Sequence, residues 1–122
     1  MSVMTRKIAF ALSLLVAFAM FADDAKPHGK LKKVEPKNVC MVNEMDMGKE
    51  QIPVQVDGKT YYGCCDMCKQ TLAKDASKRM AIDPITGNEV DKAKAVIAAQ
   101  EDGRVFYFES DATLAKHNKL YE

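Results

Sequence analysis

The chain has no surplus of charge of either sign, no glycine-rich loop of the kind that cradles phosphate, and no apolar run long enough to span a bilayer. Lysine and arginine total 18 against 17 aspartate and glutamate, which leaves no electrostatic case for nucleic acid as a partner. No acidic pair stands beside a nucleophile or base in a pattern that suggests hydrolysis, and the missing phosphate loop speaks against nucleotide chemistry. His28 and His117 are isolated in the sequence, and such residues are ordinarily surface or packing side chains rather than ligands. Cysteine is confined to one stretch, where Cys40, Cys64, Cys65 and Cys68 are its full complement of 4.

The apolar segment at residues 8–21 follows Arg6-Lys7 and runs about 14 residues where a span needs roughly 20. A cleaved export signal over residues 1–22 is expected, with an uncleaved anchor as the alternative. Ala17-Phe18-Ala19 and Ala22 both suit a cleavage point. Cleavage removes Arg6 and Lys7 and no acidic residue, so the formal charge of +1 becomes −1. The remainder, about 100 residues, suffices for one small domain. Residues 23–37 carry Lys26, Lys30, Lys32, Lys33 and Lys37 among Pro27, Gly29 and Pro36, the composition of a flexible, solvated leader. Export, periplasmic or secreted, exposes thiols to oxidation unless a metal or a reductant protects them.

Residues 40–47 read as a loop. Ile52-Pro53-Val54-Gln55-Val56 alternates apolar and polar, Asp57-Gly58 is a two-residue hairpin signal, and Lys59-Thr60-Tyr61-Tyr62 returns as the partner strand. Pro53 confines its strand to an edge or a strand start. Beyond it Cys65, Cys68, Leu72, Ala73 and Ala76 fall on one face at helical spacing. Residues 83–122 repeat the scheme at an offset of 45, with Ile97 over Ile52, Asp102-Gly103 over Asp57-Gly58 and Phe106-Tyr107 over Tyr61-Tyr62. Turn-rich Asp83-Pro84-Ile85-Thr86-Gly87 opens this unit, and Ser110 caps a final helix through Leu114, His117 and Tyr121. Local propensity favours helix at 91–100; the repeat favours a strand over 96–99, with a helical turn at 92–95. The fold class is therefore α+β: two small units, each loop, β-hairpin and helix, packed as a pseudo-repeat.

Cys64 ends the second strand and Cys68 sits four residues on, so both share a helix face, and Cys40 reaches the same point from the facing loop. Three thiolates make a metal site. Cys65 is the natural fourth for a closed tetrahedral zinc site, although its adjacency to Cys64 makes joint ligation awkward. A water, Asp66 or a methionine is the alternative fourth ligand, and Met41, Met45, Met47 and Met67 cluster nearby. Thioether sulfur suits copper(I), whereas four thiolates suit zinc.

Val39-Cys40-Met41 and Val56-Asp57-Gly58-Lys59-Thr60-Tyr61-Tyr62-Gly63-Cys64-Cys65-Asp66-Met67-Cys68-Lys69 resemble the YHS domain and the related TRASH domain, small treble-clef-like modules of heavy-metal binding, sensing and trafficking. Cys40, Cys64 and Cys68 occupy the family's cysteine places, after a 23-residue spacer that is slightly long. The resemblance implies a metal-bearing unit at residues 38–80 and a degenerate unit at 81–122, where Thr86, Glu109 and either Ala112 or Thr113 stand in place of cysteines. It implies one ion per chain, Zn2+ or Cu+. Three functional classes follow. The first is an exported, non-enzymatic metal protein for delivery, buffering or sensing, with a metal transporter or another exported metal protein as partner. The second is an interaction domain stapled by two disulfides. The third is a thiol oxidoreductase using Cys65-Asp66-Met67-Cys68, which lacks the βαβ setting of a thioredoxin-like domain.

Overall fold

The computed structural model describes residues 26–121; the expected export signal at residues 1–22 lies outside them. The described chain is mixed α+β, with small antiparallel sheets and two nine-residue helices. Strand β1 is Lys32–Lys33, β2 Val39–Cys40, β3 Met45–Asp46, β4 Ile52–Val56 and β5 Lys59–Gly63. Helix α1 spans Asp66–Lys74. Then follow β6 Met80–Ile82, β7 Glu89–Asp91, β8 Val96–Ala99, β9 Val105–Phe108 and helix α2 Asp111–Lys119.

The first hairpin, β4 with β5, closes as the sequence predicts. Asp57 and Gly58 take φ of 51° and 80°, the left-handed pair that a two-residue turn between twisted strands requires, and Val56 pairs with Lys59. Buried Val54 faces buried Tyr61 across the register, and Leu72 of α1 is fully buried in the same cluster. Each such side chain contributes about 1.5–3 kcal/mol by leaving water. The helical face is narrower than its spacing suggests. Cys68 and Leu72 are buried, whereas Cys65, Ala73 and Ala76 are exposed. Ala76 leaves the face because the helix breaks at Asp75, whose carboxylate accepts from the backbone N–H and hydroxyl of Ser77 and starts a 3-10 turn over Ala76–Arg79. Arg79 Nη1 then donates to the Leu72 carbonyl at 2.6 Å, satisfying an orphan acceptor at the end of α1.

The second hairpin departs from a uniform offset of 45. Ile97 pairs with Tyr107 and Ala99 with Val105, and the Gln100 N–H donates to the Arg104 carbonyl across the end. Asp102 accepts from the Arg104 N–H, and Gly103 takes φ of 95°. The Asp-Gly signal here builds a turn one residue longer than in the first hairpin, and the register shifts by one. Residues 92–95 form the expected helical turn, with Lys94 and Ala95 donating to the Asp91 carbonyl, and the strand starts at Val96. Ser110 caps α2 by accepting from the Thr113 N–H.

Two expectations are corrected. Residues 40–47 are not all loop, because Cys40 pairs with Met45 and Val39 with Asp46 as a very short ladder. A similar pair, β6 with β7, brackets the turn at residues 83–88. The lysine-rich stretch before residue 38 is also not a detached leader, since Pro27 is buried and the His28 N–H donates to the Gln100 side chain. Lys32 and Lys33 pair with Ala99 and Ala98, covering the open edge of β8, and an uncovered edge would leave backbone groups unpaired. Asn118 of α2 grips Leu31, its Oδ1 accepting from the Leu31 N–H at 2.7 Å and its Nδ2 donating to the Leu31 carbonyl at 3.0 Å. The lysines project to solvent while Leu31 joins Phe106, Phe108 and Leu114 in a second core cluster.

Asp83, fully buried, organises the turn before β7 and the start of α2. Its carboxylate accepts from the N–H groups of Ile85 and Thr86 and, through the other oxygen, from the Glu109 N–H and the Thr113 hydroxyl. Burial alone pushes the carboxyl up, but the bonds from Glu109, Ile85, Thr113 and Thr86 outweigh it and hold the group below the ordinary carboxylate range. A depressed folded-state pKa stabilises the fold above the unfolded value and loses that contribution as pH falls through the folded value. Acid titration of unfolding should therefore show stability falling below about pH 4. Asp83→Asn should lower stability at pH 7 by about 2 kcal/mol and flatten that acid limb, as read by urea midpoints across pH.

Candidate metal centre

Cys40 and Cys68 reach one another through two local devices. The Met41 N–H donates to the Tyr62 carbonyl, laying the Cys40 loop against β5, and the Glu44 N–H closes the loop onto the Cys40 carbonyl. On the other side, β5 runs directly into α1 past Gly63. A Cβ at Gly63 would stand 2.8 Å from the Cβ of Cys68, so only glycine lets strand and helix approach this closely.

The sulfurs of Cys40, Cys64 and Cys68 lie within 4.8 Å of one another, with Cys64 to Cys68 at 3.6 Å and Cys40 to Cys68 at 3.9 Å. Bonds of about 2.3 Å to a central tetrahedral ion would separate their sulfurs by about 3.8 Å. The three cysteines are thus close enough to hold a metal ion, and a soft, all-thiolate donor set fits zinc or copper(I). Cys65 stands apart from this group. It is exposed, with its sulfur 3.7 Å from that of Cys68, and it is outside the set whose members are all mutually close. All four thiols are free.

The methionines scatter. Met41 is fully buried in the core, Met45 packs beside Gly103, Met47 is exposed and Met67 is 70% exposed on α1. Asp66 is exposed in the first turn of α1, where its charge favours the positive helix end. His117 is a packing residue, with its Nε2 2.8 Å from the Gly29 carbonyl and its ring 5.0 Å from that of Tyr121. His28 is on the surface.

Polar groups that the sequence reading did not identify complete the surroundings. The Asn43 N–H approaches the Cys40 sulfur at 3.4 Å, and its side-chain amide approaches the Cys64 sulfur at the same distance. Burial raises the Cys40 thiol, but the Asn43 and Val42 N–H groups outweigh it and bring the group below the usual thiol value. Cys68 is pushed up to about 12, first by burial, then by its bonds with Cys64 and Cys65 and the charge of Cys40. Ionised together, three thiolates this close would repel one another, and a cation between them would relieve the repulsion.

Beneath the loop lies Lys92, 3% exposed. Its ammonium donates to the Met41 carbonyl at 2.8 Å, sits 3.2 Å from both Glu44 oxygens and lies 5.1 Å from the Tyr107 ring centre. The Tyr107 hydroxyl donates to Glu44 at 2.7 Å. No signal within residues 40–47 could have named Lys92, because it arrives from 51 positions away. The chain matches no family model, no curated protein and no solved structure.

Two outcomes follow. Gly63→Ala should cost about 1–3 kcal/mol through overpacking at the strand–helix junction, and displacement of Cys68 should weaken metal binding, as measured by competition against a chromophoric chelator. Lys92→Met leaves the Met41 carbonyl without this donor and Glu44 with the Tyr107 hydroxyl but no cation. It should cost about 2–4 kcal/mol in denaturant unfolding.

Proposed function

We propose that this is an exported metal-binding protein that holds one zinc or copper(I) ion through Cys40, Cys64 and Cys68 and serves metal delivery, buffering or sensing. The observation that carries it is the convergence of three sulfurs, spaced 3.6–3.9 Å about Cys68, from a loop and a strand–helix junction 24 residues apart in the chain. The resemblance of residues 39–41 and 56–69 to the YHS and TRASH domains points the same way, as does the export signal read in residues 1–22. The partner is then a metal transporter or another exported metal protein that presents soft ligands.

A two-unit reading gains support from matching local geometry. Gly87 donates to the Asp83 carbonyl as Glu44 donates to that of Cys40, both at 2.8 Å, and both donors have positive φ, 77° and 60°. Cys65 and Ser110 occupy equivalent extended caps, with φ of −157° and −160°. On this reading Asp83, rather than Thr86, takes the place of Cys40, and Thr113 takes that of Cys68. The carboxylate–hydroxyl bond between them does without an ion what the first unit does with one.

Purified exported protein, weighed intact to count free thiols and assayed for zinc and copper by elemental analysis, should carry four free thiols and one ion per chain. Cys40→Ser and Cys68→Ser should each lower affinity by more than about 100-fold, since even groups that only orient ligands are worth 10–100-fold; Thr86→Ala should leave it unchanged. Two disulfides, no metal and no uptake after gentle reduction would overturn the proposal in favour of a disulfide-stapled interaction domain.

A further inference from the structure

The cysteine left outside the three-sulfur group has a position that calls for explanation. Cys65 is exposed at the N-cap of α1 and makes no side-chain cap bond there. Its backbone is extended, with φ of −157° and ψ of 174°, and in such a conformation successive side chains leave the chain in opposite directions. Cys64 therefore turns toward Cys40 while Cys65 turns outward. Yet the Cys65 sulfur is 3.7 Å from that of Cys68, as close as the 3.6 Å between Cys64 and Cys68. Cys68 is thus a pivot, with Cys40, Cys64 and Cys65 all within 3.9 Å of its sulfur. Beside Cys65 the surface is open, formed by exposed Asp66, Met67 and Lys69.

We propose that Cys65 is the exchange ligand of the site, the thiol through which the ion passes to and from a thiol-bearing partner. The inference rests on the metal reading above and adds the route. In the resting state the ion is bonded to Cys40, Cys64 and Cys68. The Cys65 thiol releases its proton to solvent and its sulfur bonds to the ion, while the Cys64–ion bond breaks and the Cys64 sulfur takes up a proton. No electron changes hands and the proton count balances. Cys64 is the group that leaves because it is less buried than Cys40 or Cys68, and because two adjacent cysteines face one ion together only with strain. The ion, now shared with the exposed Cys65, is reached from the surface, where thiols of the partner bond to it one at a time, each displacing one protein sulfur, which takes up the proton that the incoming thiol releases. Thiolate attack of this kind depends on access, which Cys65 alone of the four supplies fully.

The test loads the full chain with zinc and follows transfer by stopped flow to a dithiol chelator and, separately, to an aminocarboxylate chelator that bears no thiol. Cys65→Ser should bind zinc within about threefold of the parent and pass it to either chelator at least about tenfold more slowly, because the shift to the surface precedes attack by the incoming ligand. Equal rates in parent and variant would overturn the proposal. A loss of affinity beyond about 30-fold would also overturn it, by making Cys65 a permanent fourth ligand. A parent chain that takes up no zinc or copper(I) would instead overturn the metal reading itself, and this inference with it.

Discussion

Burying the ammonium group of Lys92 commits the chain to bring three other groups to it. An unpaired buried ammonium costs several kcal/mol, so Lys92 is tolerable only with the Met41 carbonyl, the Glu44 carboxylate and the Tyr107 ring in place around it. Glu44 is in turn fixed by the Tyr107 hydroxyl and by backbone bonds that run across the same seam, from Val105 N–H to the Glu44 carbonyl and from Asp46 N–H to that of Gly103. A mirror contact ties the other hairpin, where Tyr61 and Lys59 both donate to Asp91. The loop presenting Cys40 is therefore positioned by residues far downstream. Without Lys92, β2 and β3 are two residues long apiece and could not hold a cysteine in register by themselves.

Cys64 and Cys68 depend on a different constraint, the contact at Gly63. The strand enters the helix so tightly that no side chain fits between Gly63 and Cys68, and this closeness aims both sulfurs at the loop. One side of the site is thus set by charge burial and the other by steric exclusion. The two meet at Cys40 and Cys68. Their opposite thiol shifts have different causes: the Asn43 and Val42 N–H groups outweigh burial and bring Cys40 down, whereas burial and the neighbouring sulfurs push Cys68 up to about 12.

Much of this was legible in the sequence where the governing interaction is local. Asp57-Gly58 specifies its turn by backbone preference, Ser110 its cap by a side chain three residues from its target, and Cys64 and Cys68 their shared face by helix periodicity. The convergence of Cys40 on that face was also foreseen. The unforeseen parts depend on partners distant in sequence. Lys32 and Lys33 read as solvated because their composition is polar, but it is the unpaired edge of β8 that recruits them. Lys92 lies in a helix-favouring run, and only tertiary contact shows its ammonium is inside. Asp83 looks like any turn aspartate until Glu109 and Thr113 are brought to its second oxygen.

Asp83 and the cysteine group then bear on how much of the fold a metal would stabilise. The turn at residues 83–88 and the start of α2 are held by a carboxylate with four protein donors, so their geometry is complete within the chain. The Cys40 loop and the start of α1 have no such bridge, since sulfur contacts of 3.6–3.9 Å are weak as hydrogen bonds. What holds the Cys40 loop from below is Lys92 and Tyr107, and what sets the start of α1 is the contact at Gly63. A metal-free chain can consequently keep its second half and the seam, leaving the loosest interactions at the sulfurs themselves. An ion at the three sulfurs would then tighten a local site without being the condition for folding, unlike small zinc modules that are unfolded without metal.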